Sequence, residues 1–526
     1  MSDDKQGLLP INNKLPITHK LFIPSLFDLI VITTFITIIA ASSLIKSYDI
    51  WWHLRTGDLI LQGVFPFQDL FSYTAFNKTW ILHEWGSEVI FSFVYKTLGI
   101  SGLIVLKAFL CAILVGLVFK IMVKKGVNIL ISFAFIPVII LGTTSSWSVR
   151  PHIFTNIFLI ILFSAYIDFK HYKSQKSLMF LPVLFLLWIN MHGGFIIGFV
   201  FLGTCIVAES LELFLKPESN QNLSSSNLKK LIAYTIISFA VCFINPNTYK
   251  GVLYPFLYIQ DQIPSHLITE WAPSSLKNHF EFVTIVFLIV LGFAFSKKKL
   301  FLYEIFLIVL FTYFAFSAIR HIAIFTIIVI PIISVLWQDI IILWFARIVG
   351  ISKGKINLGL LSISEYFSNR SSWFLKMEKC LDWHFFLVLT ITIVIITISF
   401  LGDKLHFGVE KDKYPLAITN YIKSINLEGN LFNQYSWGGF LIWSFPDKKI
   451  FIDGRMDVYK KKISSEYTTI MSLNDGWEDI LKKYSINYLL VKRNEIISKY
   501  LTKVSDEWVL VKKSENACFF KKRAKL

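Results

Sequence analysis

The residues of this chain that could do chemistry are few, and they recur at the edges of long apolar runs. The first group is Tyr48-Asp49-Ile50-Trp51-Trp52-His53-Leu54-Arg55, followed by Asp69 and by His83-Glu84-Trp85. Later come Arg150-Pro151-His152, Asn190-Met191-His192-Gly193-Gly194, Asn245-Pro246-Asn247, Thr269-Glu270-Trp271 and Arg320-His321. A carboxylate such as Asp49 or Glu84 can take a proton from a hydroxyl or ligate a hard divalent cation. An arginine such as Arg150 or Arg320 presents a planar fork that matches phosphate oxygens. Each residue also has a plainer alternative. Asp49 could pair with Arg55 at a helix end, the arginines could anchor helix ends in lipid headgroups, and the histidines could be structural hydrogen-bonders. No His/Cys spacing reads as a zinc site, and the five cysteines form no framework. There is no phosphate-cradling Gly-Lys-Ser/Thr loop and no nucleophile elbow, which argues against ATP-driven transport and serine hydrolysis.

The elements that must position these residues are membrane helices. Of 526 residues, 55% are hydrophobic and only 17% charged, with a mean hydropathy of +0.60. A soluble domain carries roughly a quarter charged residues, so an ordinary soluble enzyme and a disordered chain are both excluded. Eleven apolar stretches suit spanning helices, centred on 27–46, 101–119, 127–144, 153–168, 178–191, 194–215, 231–246, 281–296, 300–318, 322–344 and 383–401. The formal charge of +17 resides mainly in lysine-rich loops, which places those loops and the N-terminus in the cytoplasm and makes nucleic acid an unneeded partner. All the polar clusters above then fall on the opposite, extracytoplasmic face, including a long first loop over 47–98. The cytoplasmic loops offer lysines, serines and little else, and 345–379 is expected to lie on the membrane surface.

The fold class expected is therefore a polytopic α-helical membrane protein of about eleven spans over 1–401. A small extracytoplasmic α/β domain follows over 402–526, a segment with a net charge of +7. In that domain Leu431–Asn433, Lys449–Ile452 and Asn487–Val491 read as buried strands, Trp477–Tyr484 as an amphipathic helix, and 508–511 with 517–520 as a hairpin. Ionisable groups near bilayer depth cost about 2.5–3.5 kcal/mol each unless paired or hydrated, so the clusters together suggest one polar site roofed by the C-terminal domain.

Asp49-Ile-Trp-Trp-His-Leu-Arg55 resembles the first outer loop of integral-membrane glycosyltransferases of the GT-C type. In oligosaccharyltransferase catalytic subunits that loop reads Asp-Pro-aromatic-aromatic and then Arg; here Ile50 stands in place of the Pro. Ser436-Trp437-Gly438-Gly439-Phe440-Leu441-Ile442-Trp443, followed by Asp453-Gly454-Arg455, resembles a divergent Trp-Trp-Asp-Tyr-Gly segment of that family, with glycines where the central Asp would be. The layout as a whole is also similar to membrane proteins related to protein mannosyltransferases. The resemblance implies sugar transfer from a polyprenyl-phosphate-linked donor to a glycan, lipid or protein acceptor outside a bacterial-type inner membrane. Asp49 would act as base or orient the acceptor, with Glu84 or Glu270 assisting. Arg150 or Arg320, beside His152, would hold the lipid phosphate. Asp49, Asp69 and Glu270 would ligate a divalent cation such as Mg²⁺ or Mn²⁺. Trp437, Asp453 and Arg455 would bind the acceptor. The rival expectations are a transporter or assembly factor for envelope polysaccharide, or a ligase or polymerase of the same fold.

Overall fold

The computed structural model describes residues 23–41, 44–45, 47–216, 223–260, 269–275, 277–351, 384–401, 408–425 and 427–523. The helical part comprises α1 (Leu26–Ala41), α2 (Ile50–Leu61), α3 (Trp85–Lys124), α4 (Ile129–Thr143), α5 (His152–Tyr172), α6 (Gln175–Met179), α7 (Leu181–Met191) and α8 (Phe195–Leu215). It continues with α9 (Ser225–Val241), α10 (Tyr249–Gln260), α11 (Phe280–Phe295), α12 (Leu302–Ser317), α13 (Ile322–Ile351) and α14 (Phe385–Leu401). Each expected span coincides with a helix or a helix pair. Among the described residues five helical segments are long and apolar enough to cross a bilayer: Trp85–Lys124, Ile129–Ser146, His152–Tyr172, Phe195–Leu215 and Ile319–Ile348. Others are shorter; the 16 residues of α1 reach only ~24 Å against a hydrocarbon core of ~30 Å. The 40-residue α3 is interrupted at Gly99, whose φ of +62° is open to glycine and strained for other residues. Its first half is thereby free to diverge from the spanning second half. The surface-lying segment expected over 345–379 falls outside the described residues beyond Ile351.

Because successive helices run antiparallel, their ends sort into two groups. The N-termini of α2, α3, α5, α8 and α13 and the C-termini of α7 and α12 gather at one end with the polar clusters. The opposite end carries the exposed lysines expected, such as Lys229, Lys230 and Lys298, but it also holds acids. There Lys170 is buried against Glu209, with Tyr166 donating to the same carboxylate at 2.7 Å. Lys125 pairs with Glu304, and Lys124 with Asp168 at 2.8 Å. Those acids lie inside or beside apolar stretches, where a loop-by-loop reading overlooks them. Each of these three lysines is neutralised by an acid one helix away, which locks α3, α5, α8 and α12 together.

The chain then adds β1 (Leu44–Ile45) paired in parallel with β2 (Gly408–Val409), which fastens the end of α1 to the start of the C-terminal segment. That segment contains α15 (Leu416–Ser424), β3 (Asn430–Asn433), α16 (Gly438–Ser444), α17 (Met456–Ser472), α18 (Trp477–Lys483), β4 (Ile486–Lys492), α19 (Ile496–Lys503), β5 (Trp508–Lys513) and β6 (Ala517–Lys522). The sheet order is β3-β4-β6-β5, with β3 and β4 parallel and the other pairs antiparallel. The strand expected over Lys449–Ile452 is not part of the sheet. Ile450 instead exchanges backbone hydrogen bonds with the first loop, donating to Phe71 O at 3.0 Å and accepting from Tyr73 N at 3.1 Å. The Asn433 side chain takes the place of a strand neighbour, accepting from Phe451 N at 2.9 Å and donating to Ile452 O at 2.8 Å. Trp52, Phe71, Trp80 and Leu82 of the first loop share one apolar core with Phe432, Leu441, Phe451 and Leu489. The first loop and the C-terminal segment are thus packed as one body over the polar helix ends.

Candidate functional site

Between that body and the helix ends lies a cavity of about 820 Å³. Asp49 sits at the N-cap of α2, yet its side chain makes no capping bond. Its carboxylate instead receives Arg150 Nη2 at 2.5 Å. Arg150 also donates through Nη1 to Glu270 and through Nε to Ser47 Oγ at 3.0 Å. One guanidinium therefore bridges two acids brought from residues 221 positions apart in the chain. Burial pushes the Asp49 carboxyl up from its ordinary value, against the pull of Arg150. Glu270 is lowered: burial opposes this, but Arg150, His152 and Arg320 together outweigh it. Behind Asp49 stands Gly454, where a Cβ would come within 2.2 Å of Asp49 Oδ1. A side chain there would displace the carboxylate.

Glu84 forms the second charged centre. Its carboxylate lies 3.5 Å from His83 Nε2, 3.4 Å from His192 Nε2 and 3.9 Å from His53 Nδ1. The His192 tautomer follows from its other side. Gly194 N–H donates to Nδ1 at 3.1 Å, and Thr155 Oγ1, which accepts from Trp188 Nε1, lies at 2.8 Å from it. Nδ1 is the acceptor, so Nε2 carries the proton and aims it at Glu84. Burial lowers His192 and His53 to about 3, so both imidazoles are neutral at ordinary pH. Burial would raise Glu84, but the surrounding imidazoles, His83 foremost, hold it well below the carboxylate range. Glu84 is accordingly a fixed anion held by imidazole N–H groups.

Arg320 lines the same cavity and differs from Arg150. Its guanidinium lies 4.5 Å over the Trp271 ring and forms no ion pair among the described residues. His152 faces the cavity with Nε2 3.0 Å from Ser146 O. The cavity thus unites Asp49, Glu84, Arg150, His152, Glu270 and Arg320 from five places in the sequence.

Of the remaining expected residues, Arg455 reaches the cavity lining while Asp69, Trp437 and Asp453 do not. Asp69 is fully buried; its oxygens accept from Phe71 N, Ser72 N and Ser72 Oγ, and from Arg455 Nη1 at 2.8 Å. Asp453 and Arg455 bond to one another at 2.6 Å, Tyr459 donates to Asp453, and Phe71 and Trp80 flank the guanidinium. Arg455 thus has both its charge and its faces satisfied within the roof. Trp437 is 1% exposed, with its indole donating to Lys413 O at 2.8 Å. Trp437 and Asp453 are built into the roof, while Arg455, paired within it, also borders the cavity. The C-terminal wall is made instead by Gln434, Tyr435, Ser436, Asp457, Tyr467 and Lys492. Of these, Asp457 stands out. Burial raises its carboxyl to about 6, with His83 pulling the other way. It lies four residues beyond Asp453, so the local signal existed, but only the start of α17 decides which acid faces inward. Ser436 Oγ is buried without a hydrogen-bond partner among the described residues.

The cation set expected from Asp49, Asp69 and Glu270 does not fit this arrangement. Asp69 is elsewhere, and Arg150 already occupies the space between the other two carboxylates. A different group, His53, Glu84 and Glu88, brings its donor atoms within 4.8 Å of one another and could hold a metal ion.

No protein-family model matches the chain, and no curated protein matches it in sequence. Solved structures do match in fold. The oligosaccharyltransferase of Archaeoglobus fulgidus in its apo form superposes with a TM-score of 0.52 at 12% identity, covering 89% of this chain and 68% of that one. The same organism's AglB oligosaccharyltransferase, in complex with an inhibitory peptide and a dolichol-phosphate, gives 0.54 at 11% identity over 89% and 69%. ArnT from Cupriavidus metallidurans in the apo state gives 0.50 at 10% identity over 94% and 97%. Both are glycosyltransferases of the GT-C type. At this identity the likeness is one of fold, and it spans most of the chain.

Proposed function

We propose that this chain is a membrane glycosyltransferase that moves a sugar from a polyprenyl-phosphate-linked donor to an acceptor on the extracytoplasmic face. The observation that carries the reading is the charge layout of one cavity. An arginine-bridged acid pair, Asp49–Arg150–Glu270, shares it with Arg320, which makes no direct ion pair among the described residues although its charge reaches Glu270. A site holding two committed carboxylates and one uncommitted guanidinium suits a substrate with a hydroxyl to activate and a phosphate to release. The dolichol-phosphate in the AglB complex supports a lipid phosphate as that group.

In this reaction the acceptor oxygen attacks the anomeric carbon. The carbon–oxygen bond to phosphate breaks, and the electron pair leaves with the lipid phosphate, whose charge Arg320 neutralises. Asp49 accepts or orients the acceptor proton, and Arg150 fixes its carboxylate. Glu84, held by His83 and His192, keeps the opposite wall anionic and can bind sugar hydroxyls. The wall from Gln434 to Lys492 receives the acceptor.

The same reading takes 1–401 as a transmembrane unit of about eleven spans and 402–526 as an extracytoplasmic roof. It puts the N-terminus in the cytoplasm of a cell with a bacterial-type inner membrane. The helices too short to cross alone are extended by tilting or local thinning of the bilayer. The test is turnover by full-length protein in lipid nanodiscs supplied with lipid-linked sugars extracted from membranes. The reading expects release of polyprenyl phosphate, abolished in Asp49→Asn. Arg320→Gln should raise the donor KM by roughly tenfold or more, the scale of one lost charged hydrogen bond. Release that persists unchanged in both variants contradicts it.

A further inference from the structure

A second cluster lies where α2 crosses the start of α3; it shares His53 and Glu84 with the cavity wall and adds Glu88, which does not line the cavity. The two helices touch at Gly57, where a Cβ would meet Glu88 O at 2.1 Å and Ser92 Cβ at 2.8 Å. Only glycine allows that approach. His53 stands one turn before Gly57 on α2, and Glu84 one turn before Glu88 at the start of α3, so all three side chains meet across the crossing. His53 Nδ1 is 3.0 Å from Glu88 Oε1 and 3.9 Å from Glu84 Oε2. The three donor atoms lie within 4.8 Å of one another.

Two observations indicate that this cluster is incomplete. Glu88 is fully buried, and its Oε2 is sealed from solvent with no hydrogen-bond partner among the described residues. Such an oxygen costs free energy unless a cation or proton satisfies it. Further, two carboxylates converge on one imidazole nitrogen in an enclosed space, and like charges there repel without a countercharge. The other face of Glu84 is already held by His83 and His192, which steadies it as a ligand in the way outer hydrogen bonds steady metal-binding carboxylates.

We propose that His53, Glu84 and Glu88 form a binding site for one divalent transition-metal ion. One imidazole nitrogen and two carboxylates suit Mn²⁺ or Zn²⁺ better than Ca²⁺, which takes oxygen ligands only. The ion would pin α2 to α3 and fix Glu84 at the cavity wall. The site is independent of the transferase reading and stands or falls on metal content alone.

The test uses full-length protein in detergent, stripped with chelator, loaded with Mn²⁺ or Zn²⁺ alone, desalted and analysed for metal per chain. The Mn²⁺ form is examined in parallel by pulsed electron paramagnetic resonance. The expected result is one tightly held ion per chain with coupling to a single imidazole nitrogen. Glu88→Gln and His53→Gln should each weaken retention roughly tenfold or more, while Asp49→Asn and Glu270→Gln retain the ion. If Glu88→Gln fails to fold, the nitrogen coupling in the unsubstituted protein decides. Wild-type protein that holds no ion overturns the proposal, as does an ion without nitrogen coupling or one equally held by Glu88→Gln. A proton shared between Glu88 and His53 would then satisfy the cluster.

Discussion

Arg150 and Arg320 stand in similar contexts, each followed closely by a histidine and an apolar helix, yet the structure gives them opposite partners. Arg150 binds two carboxylates, while Arg320 lies over an indole and keeps its charge available. Sequence reasoning could pick out both because charged residues at the ends of apolar runs are rare and costly. It could not separate them, since the partner of Arg150 is 120 residues away at Glu270. The same limit explains Arg455. Asp453-Gly-Arg reads as a binding motif, but the two charges face each other and Asp69 inside the roof. Arg455→Gln leaves Asp69 and Asp453 buried without countercharge, so it should cost about 3–5 kcal/mol of stability, read as a fall in melting temperature. Asp457 gives a pH signature. Its folded carboxyl is raised to about 6, above the unfolded value near 4. The native state then holds the proton more tightly. This contribution favours folding at acid pH and is lost as pH climbs from about 4 to 6. Thermal melts across that window should show wild type losing stability relative to Asp457→Asn, which lacks the group; parallel curves would refute the assignment.

At the scale of elements, the site depends on backbones that approach closely. The α2 N-terminus carries Asp49, and Gly454 beside it leaves room for the carboxylate. Gly438 likewise admits Ile452 O, which would lie 2.1 Å from a Cβ there. Gly454→Ala meets first the mobile end of the Asp49 side chain, so turnover should fall at least tenfold while the melting temperature changes by little. A large loss of stability without loss of turnover per folded molecule would contradict this. Most helices and all four sheet strands were legible, because long apolar runs, the α18 amphipathic pattern and the closing hairpin each carry a periodic signal. The run Lys449–Ile452 shows why periodicity is not enough. Its apolar residues are buried against Phe71 and Asn433 of other elements, a burial that looks the same in sequence as that of a central strand. α17 went unforeseen because β-branched residues and serines, poor helix signals, are frequent across Met456–Ser472.

For the molecule as a whole, the polar residues of six segments converge at one helix end under a roof built jointly from the first loop and the C-terminal sheet. Buried lysine–acid pairs occupy the other end. The proposed orientation can be read directly, because the described cysteines Cys111, Cys205, Cys242 and Cys518 are all buried and give little background. Lys462 and Lys298 are exposed, one on the roof and one at the opposite end. A membrane-impermeant maleimide applied to intact cells should label Lys462→Cys and spare Lys298→Cys; the reverse pattern would invert the orientation and move the cavity to the cytoplasmic side. Convergence on a cavity is what the sequence could suggest but not demonstrate, since which loops meet is decided by antiparallel packing across hundreds of residues.

The central claim is that this cavity transfers a sugar from a lipid carrier, and intact-glycan mass spectrometry of envelope lipids, polysaccharides and proteins tests it most directly. The comparison is between cells expressing the wild-type chain and cells expressing Asp49→Asn at equal level in the membrane. The account predicts loss of one specific glycan mass in the variant, with undecorated acceptor and lipid-linked donor accumulating. An unchanged glycan profile, with both proteins folded, would contradict transfer at this site and favour a role in transport or assembly of envelope polymers.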